Sequence, residues 1–184
     1  MNAINRRAVL AGAAAFCGIG IGRAARAASR AEIDRNVAEA IAQMRARIRG
    51  VDELMQRAKG YLIMAGVTKA GFLVGGEYGE GVLFVNGVPV EYYSVAAASI
   101  GLQAGVQRSN QALFFMTEDA LRAFRTADGW TASADVEIAI VDDGLGLQLD
   151  SQTLNRPVIG FVFGREGLLA GASLEGAKYS RIHR

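Results

Sequence analysis

The sequence has very few of the side chains on which most enzyme and metal sites depend. It contains one cysteine and one histidine among 184 residues. His183 stands next to the last residue, where chains commonly fray, so we expect no histidine triad, histidine acid/base or His-ligated metal. Cys17 lies in an apolar amino-terminal stretch. Removal of that stretch would also remove disulfides, thiolate catalysis and cysteine metal sites.

Two motifs of catalytic proteins are also missing. The glycine-rich stretch 75–81 lacks the lysine and hydroxyl residue of a phosphate-binding loop and carries two carboxylates, so it is predicted to be a turn between strands. Ser173 has a glycine two residues before it but none two residues after it, which excludes a nucleophile elbow. We expect no enzyme and no cofactor. An enzyme using carboxylates remains a third alternative, and its candidate residues are Glu77, Glu80, Asp142, Asp143 and Glu175.

Residues 1–27 have the features of a cleavable export signal. Arg6 and Arg7 precede a fifteen-residue uncharged run, and Ala25-Arg26-Ala27 matches an A-x-A cleavage site. That run is shorter than the roughly 20 apolar residues needed to span a bilayer. The arginine pair favours the twin-arginine route, with a general secretory signal as the alternative. These features predict a periplasmic or otherwise exported protein. We expect no lipoprotein anchor, because Phe16 rather than a small residue precedes Cys17.

Loss of the signal changes the charge. It removes four arginines and no acidic residue, so the formal net charge of +2 becomes −2. Nucleic-acid binding usually needs a strongly basic face, and we expect no nucleic-acid partner.

Residues 28–58 show the apolar spacing of an amphipathic helix. Ser29 and Glu32 form a capping box at its start, and apolar residues recur every three or four positions. Such a helix can also lie on a membrane surface. Its mixed charges favour packing against its own domain.

Residues 59–184 are predicted to form a glycine-rich domain of short strands with a helix near 118–125. The strands do not alternate regularly with helices, which disfavours a parallel doubly wound sheet. We therefore predict an α+β fold. It has a strongly curved antiparallel sheet or partial barrel, covered by a long amino-terminal amphipathic helix and a short second helix.

Three repeats of the form G-Φ-x-[AV]-G begin at Gly71, Gly101 and Gly167. The two glycines of each unit fall on one face of a strand, so we expect them to allow close backbone packing or bending.

The pairs Tyr92-Tyr93 and Phe114-Phe115 are expected to point one ring inward and one outward. The candidate lipid-binding cations are Lys59, Lys69, Arg165, Lys178, Arg45 and Arg49.

Together these residues resemble the SYLF domain, a lipid-binding module, and look most similar to its exported bacterial members. The resemblance extends from about Leu54 to Ile182. The segments that carry it are Ala58-Lys59-Gly60, Lys69-Ala70-Gly71-Phe72, the stretch 75–81, Tyr92-Tyr93-Ser94, and the stretches 99–107, 114–117 and 167–176. Eukaryotic members usually have a tryptophan-serine pair followed shortly by proline where this chain has Tyr93-Ser94-Val95-Ala96. The resemblance thus implies lipid association as a class, rather than phosphoinositide or actin binding.

The sequence therefore predicts an exported, non-catalytic protein that binds lipid headgroups or a membrane surface. The alternative is a periplasmic protein-interaction or envelope-structural module, whose partner would be another envelope protein.

The export route is testable by changing Arg6 and Arg7 together to lysine. The twin-arginine route depends on the arginine pair itself, whereas the general route needs only positive charge. We expect uncleaved precursor to accumulate in the cytoplasm, as measured by fractionation and immunoblotting. Unchanged export would exclude the twin-arginine route and leave secretion intact.

Overall fold

The computed structural model describes residues 28–132, 136–140, 155–167, 174 and 176–184. The predicted export signal, residues 1–27, lies outside these ranges. The described elements are α1 (Arg30–Arg47), α2 (Val51–Arg57), β1 (Gly60–Val85), β2 (Val88–Phe115), α3 (Glu118–Thr126), β3 (Trp130–Thr131), β4 (Val136–Ile140), β5 (Val158–Gly167) and β6 (Lys178–Ile182). The predicted α+β class is confirmed.

The amino-terminal helix starts as predicted but is interrupted. Ser29 caps α1, since its hydroxyl accepts from the Glu32 N–H while its own N–H donates to Glu32 Oε2 at 2.8 Å. The chain leaves the helix at Ile48, and Gly50 adopts a left-handed φ of 79° before α2 begins. The single helix expected over 28–58 is therefore two, because the apolar period continues across a glycine that turns the backbone.

Two very long strands form one hairpin in place of the short strands that the sequence predicts in this part of the chain. β1 has 26 residues and β2 has 28. They pair antiparallel from Gly60↔Phe115 to Val85↔Val88, with three shifts in register. The prediction of a turn at 75–81 was wrong, because these residues lie within β1. Glycine inside a strand often marks a bulge or a close backbone approach rather than the strand's end.

β1 bends so far that its two halves meet. A Cβ on Gly79 would lie 2.7 Å from Val67 Cγ2, and a Cβ on Gly81 would clash with the Ile63 carbonyl oxygen. At the ends of the strand, the Tyr61 and Phe84 rings stack at 5.0 Å. We call the contact between residues 63–67 and 79–81 the β1 crossing.

The rest of the sheet is built on the second edge of β2. β5 pairs with residues 107–115 of β2, and β6 pairs with residues 92–96, both antiparallel. β3 extends the sheet beyond β6, while β4 lies beyond β5 and runs parallel to it. The predicted curved antiparallel sheet is thus confirmed, with one parallel pair at its edge.

Both faces of the sheet are covered, each by its own hydrophobic core. The first core lies under α1 and α2 and contains Tyr61, Tyr92 and Phe114. The second core lies under α3 and contains Tyr93, Phe115 and Phe124. Adjacent aromatic residues point to opposite faces as predicted, but Tyr92, Tyr93, Phe114 and Phe115 are all buried. The prediction that one ring of each pair is exposed was wrong, because the second face of the sheet packs against α3 instead of facing water.

The glycine repeats are only partly within the described residues. Gly71 lies opposite Gly105, Leu73 opposite Gly101, and Gly167 opposite Gln107. The first two repeats therefore face each other across the hairpin, next to a register shift between Gly71 and Leu73. Gly171 lies outside the described residues, and close packing at the glycines of all three repeats stays a prediction.

The β1 crossing is testable with two alanine substitutions. Gly81→Ala puts a methyl group against backbone and should cost about 1–3 kcal/mol, lowering Tm by roughly 2–12 °C. Gly76→Ala is the matched control, since its nearest neighbour would be the Ala97 carbonyl oxygen at 4.0 Å, and it should be neutral or stabilising by about 0.4–1 kcal/mol. Thermal melts compare the two. Equal midpoints would mean that the halves of β1 do not meet at Gly81.

Candidate functional site

Three of the predicted cations lie near the helices. Lys59 directly precedes β1, and its Nζ is 3.9 Å from Glu118 Oε1 of α3. Arg45 is exposed on α1 and forms a 2.7 Å ion pair with Asp52. Arg49 is exposed in the connection between α1 and α2. Exposed pairs of this kind typically contribute little to stability, about 0–1 kcal/mol, which leaves these cations available for other contacts.

The other three predicted cations lie on the sheet. Lys69 pairs in register with Gln107, and its charge acts on Glu77. Lys178 begins β6, and its methylene chain crosses Gly129. The backbone of Arg165 lies in β5, whereas its side chain lies outside the described part. The six residues stand on separate elements, and their role in lipid binding stays a prediction.

Of the carboxylates considered for catalysis, Glu77 and Glu80 lie in β1. Asp142, Asp143 and Glu175 lie outside the described residues. Within the described ranges, no three Asp, Glu, His or Cys side chains are grouped to hold a metal ion.

Glu77 and Glu80 line a cleft of about 710 Å³ between the start of α1 and the β1 crossing. The wall includes Ala28, Ile33, Asn36, Ala65, Thr68, Tyr78 and Arg108. The start of α1 is fixed beside it by Tyr92, whose hydroxyl donates to Asp34 at 2.7 Å and accepts from Arg30 at 2.8 Å. We call this the large cleft.

A smaller pocket of about 360 Å³ adjoins the large cleft and shares Asn36, Ala65, Gly66 and Arg108 with it. Its wall also contains Glu39 and the amide side chains of Gln43 and Asn110. Asn110 accepts from the Gly66 N–H at 2.9 Å and donates to Gln43 at 3.1 Å. These bonds stabilise the register shift next to Gly66, which has a left-handed φ of 62°.

Glu80 is a buried carboxylate with only one of its two oxygens satisfied. Its side chain is 7% exposed. Oε1 accepts from the Tyr78 hydroxyl at 2.7 Å and from the Arg184 guanidinium. Oε2 has no hydrogen-bond partner among the described residues. An unsatisfied buried acceptor costs about 1–3 kcal/mol, and such groups are rare without a structural or functional reason.

Glu77 is partly buried and is hydrogen-bonded to a chain of polar groups that continues into the core. The Gln111 amide donates to Glu77 Oε1, and the Tyr179 hydroxyl donates to Gln111 Oε1 at 2.9 Å. Burial raises the pKa of Glu77 above its ordinary value, and the Gln111 hydrogen bond and the Lys69 charge oppose this only in part. Burial likewise raises the pKa of Tyr179.

A second surface feature is the tip of the β1–β2 hairpin, residues 85–90. Asn86 and Gly87 make the turn with φ values of 52° and 76°, as a tight type I′ hairpin requires. Val88 and Val90 are 59% and 45% exposed. The sequence carries the Asn-Gly turn signal, but the binding residues predicted from the sequence are all cations, so these two valines were missed.

Next to the tip, Glu91 joins two arginines from different elements. Arg125 of α3 and Arg181 of β6 each lie 3.0 Å from Glu91 Oε1, and the Tyr93 hydroxyl donates to Oε2 at 3.0 Å. Burial alone would raise the pKa of Glu91, but the hydrogen bonds from Arg125 and Tyr93 and the two arginine charges lower it.

Residues 96–183 match a known protein-family model. The model is Ysc84, described as "Las17-binding protein actin regulator", and it represents the SYLF domain. The resemblance to the SYLF family is confirmed over this segment. A search of curated proteins found no significant match.

The SYLF match covers most of β2 and continues to β6. It excludes α1 and β1, which supply part of both cores and most of the large cleft. The SYLF family is known as a family of binding modules. No helix in the described ranges is long and apolar enough to cross a membrane.

The raised pKa of Glu77 predicts a pH-dependent stability. The folded protein holds the Glu77 proton more tightly than the unfolded chain, so the free energy of unfolding falls as pH rises above the ordinary glutamate pKa of about 4.3. Glu77→Gln removes this ionisation and keeps an acceptor for Gln111. We expect a higher Tm than the unmodified protein at pH 7 and little difference at pH 4.

Glu39→Gln, on the exposed side of α1, is the control and should follow the unmodified profile. A Glu77→Gln protein that is less stable at pH 7 than at pH 4, relative to the unmodified protein, would contradict the assignment.

Proposed function

We propose that this is an exported, non-catalytic protein that binds a membrane surface through lipid headgroups, and that the hairpin tip makes the contact. The observation that carries the proposal is the pair of exposed valines, Val88 and Val90, beside a cationic rim. The SYLF match and the export signal predicted at residues 1–27 support it.

The end of the hairpin tip is apolar, and positively charged side chains lie where the tip joins the rest of the protein. A Cβ built on Gly60 would lie 3.0 Å from the carbonyl oxygen of Phe84. Gly60 is therefore close to the end of β1, and the preceding residue, Lys59, lies near the tip. Arg125 and Arg181 meet at Glu91 on the other strand of the hairpin. The cations Lys59, Arg125 and Arg181 outnumber the acids Glu91 and Glu118 by one.

This combination suits the interface of an anionic bilayer. Fully burying a valine side chain is worth about 1.5 kcal/mol or more, and a cation near an anionic surface adds about 1 kcal/mol. Two valines and a net positive rim therefore support weak, reversible surface binding. The exposed patch is small, so stable attachment would require the other predicted cations as well.

The alternative function is a protein-interaction or envelope-structural module. The description of the SYLF family model names a protein partner, which favours this alternative. Affinity capture from the periplasm distinguishes the two functions, because a stoichiometric protein partner that survives detergent favours protein docking, whereas loss of all partners in detergent favours lipid.

Vesicle co-sedimentation tests the membrane contact. Val88→Asp with Val90→Asp places two charges on the tip and should abolish binding to anionic vesicles. Val106→Asp is the matched control, because Val106 is a 60% exposed valine on β2 opposite Ala70, away from the tip. It should bind like the unmodified protein.

The unmodified protein should bind anionic vesicles more strongly than neutral ones, and less strongly as salt screens the rim. Absence of binding to either vesicle would overturn the proposal. Equal loss in the tip and control variants would show that the tip is not the contact.

A further inference from the structure

The large cleft has the size and composition of a small-ligand site. Its volume of about 710 Å³ falls within the roughly 300–1,000 Å³ of small-molecule pockets. Ala28, Ile33 and Ala65 supply apolar wall, while Glu77, Glu80 and Arg108 bring charges of both signs. The hairpin tip is a separate surface and shares none of these residues.

The carboxylate side of the cleft needs a hydrogen-bond donor. Glu80 Oε2 is buried without a partner in the described part of the chain, while Oε1 already has Tyr78 and Arg184. Glu80 is one of the residues that line the cleft, and the terminal torsion of a glutamate is broad and roughly two-fold, so its carboxylate can rotate to present Oε2 there. A ligand N–H or O–H donor would then satisfy it.

The neighbouring groups favour a charged donor. Burial raises the pKa of Glu77, and a cation beside it would stabilise the ionised form. Tyr78 is 51% exposed on the same wall, and an aromatic face attracts cations. An ammonium group with N–H donors therefore matches Glu80, Glu77 and Tyr78 together, whereas a hydroxyl lacks the charge and a quaternary ammonium lacks the donors.

Arg108 selects the other end of the ligand. It is exposed and lines both the large cleft and the smaller pocket. A guanidinium matches the geometry of a phosphate group. The site therefore suits a zwitterion with a primary ammonium at one end and a phosphate at the other.

We propose that the large cleft binds a phosphoethanolamine group, with its ammonium on Glu80 and Glu77 and its phosphate on Arg108. The group can belong to a lipid headgroup or to a free small molecule. Only the lipid source rests on the membrane function proposed above.

Calorimetric titration of the full chain with phosphoethanolamine and with phosphocholine tests the site. The two probes share a positive nitrogen and a phosphate and differ in N–H donors. We expect phosphocholine to bind at least about tenfold more weakly, the loss that corresponds to one charge-assisted hydrogen bond. Equal binding of the two probes, or binding of neither, would overturn the proposal.

Glu80→Gln should weaken phosphoethanolamine binding by about tenfold or more, and Arg108→Ala should weaken it independently, without disturbing Glu80. Thermal melts of both variants check folding. Glu53→Gln, at an exposed position of α2 that lines neither cavity, is the matched control and should bind normally. Unchanged binding by Arg108→Ala, or by a folded Glu80→Gln, would contradict the assignment.

The Val88→Asp, Val90→Asp variant separates this site from the membrane contact. It should titrate normally with soluble phosphoethanolamine even if it no longer sediments with vesicles. Loss of soluble binding in this variant would contradict a site in the large cleft. Neutral vesicles with and without phosphatidylethanolamine then identify the source of the phosphoethanolamine group. Stronger binding of the unmodified protein to the vesicles that contain phosphatidylethanolamine indicates a lipid headgroup. Equal binding to both indicates a free small molecule.

Discussion

The close approach of the two halves of β1 at Gly79 and Gly81 is the constraint on which the rest of the structure depends. A side chain at Gly81 would meet the Ile63 carbonyl, and one at Gly79 would meet Val67. Without side chains there, a strand of 26 residues can bend back on itself. β2 follows the bend because it pairs with β1 along its whole length, so one hairpin forms most of a half-barrel.

The cores and the candidate sites follow from that bend. α1 and α2 pack on one face of the bent sheet and α3 on the other, so most of the aromatic side chains that the structure describes are buried. The large cleft lies where α1 passes the β1 crossing, and it includes the buried Glu80. The hairpin tip follows the last residue of β1, and Val88 and Val90 remain exposed there.

Local signals in the sequence predicted the elements that local interactions determine. The Ser29 cap and α3 involve residues close together in the chain, and each is found where the pattern placed it. The lengths of β1 and β2 were missed, because a glycine inside a bent strand has the same local signature as one that ends a strand. Glu80 was one of five candidate carboxylates and could not be distinguished from the others, since its burial depends on Arg184 and on the curvature of β1.

A disulfide across the β1 crossing tests the central claim most directly. A Cβ on Gly79 would lie 3.2 Å from Val67 Cβ, close to the roughly 3.5–4.5 Å found in disulfides, and replacing Val67 removes the methyl groups in the way. In a chain with Cys17→Ala, Val67→Cys and Gly79→Cys should form an intramolecular disulfide under mild oxidation, seen as a mass decrease of the folded monomer. Two thiols that stay free in a folded monomer would contradict the close approach of the two halves of β1.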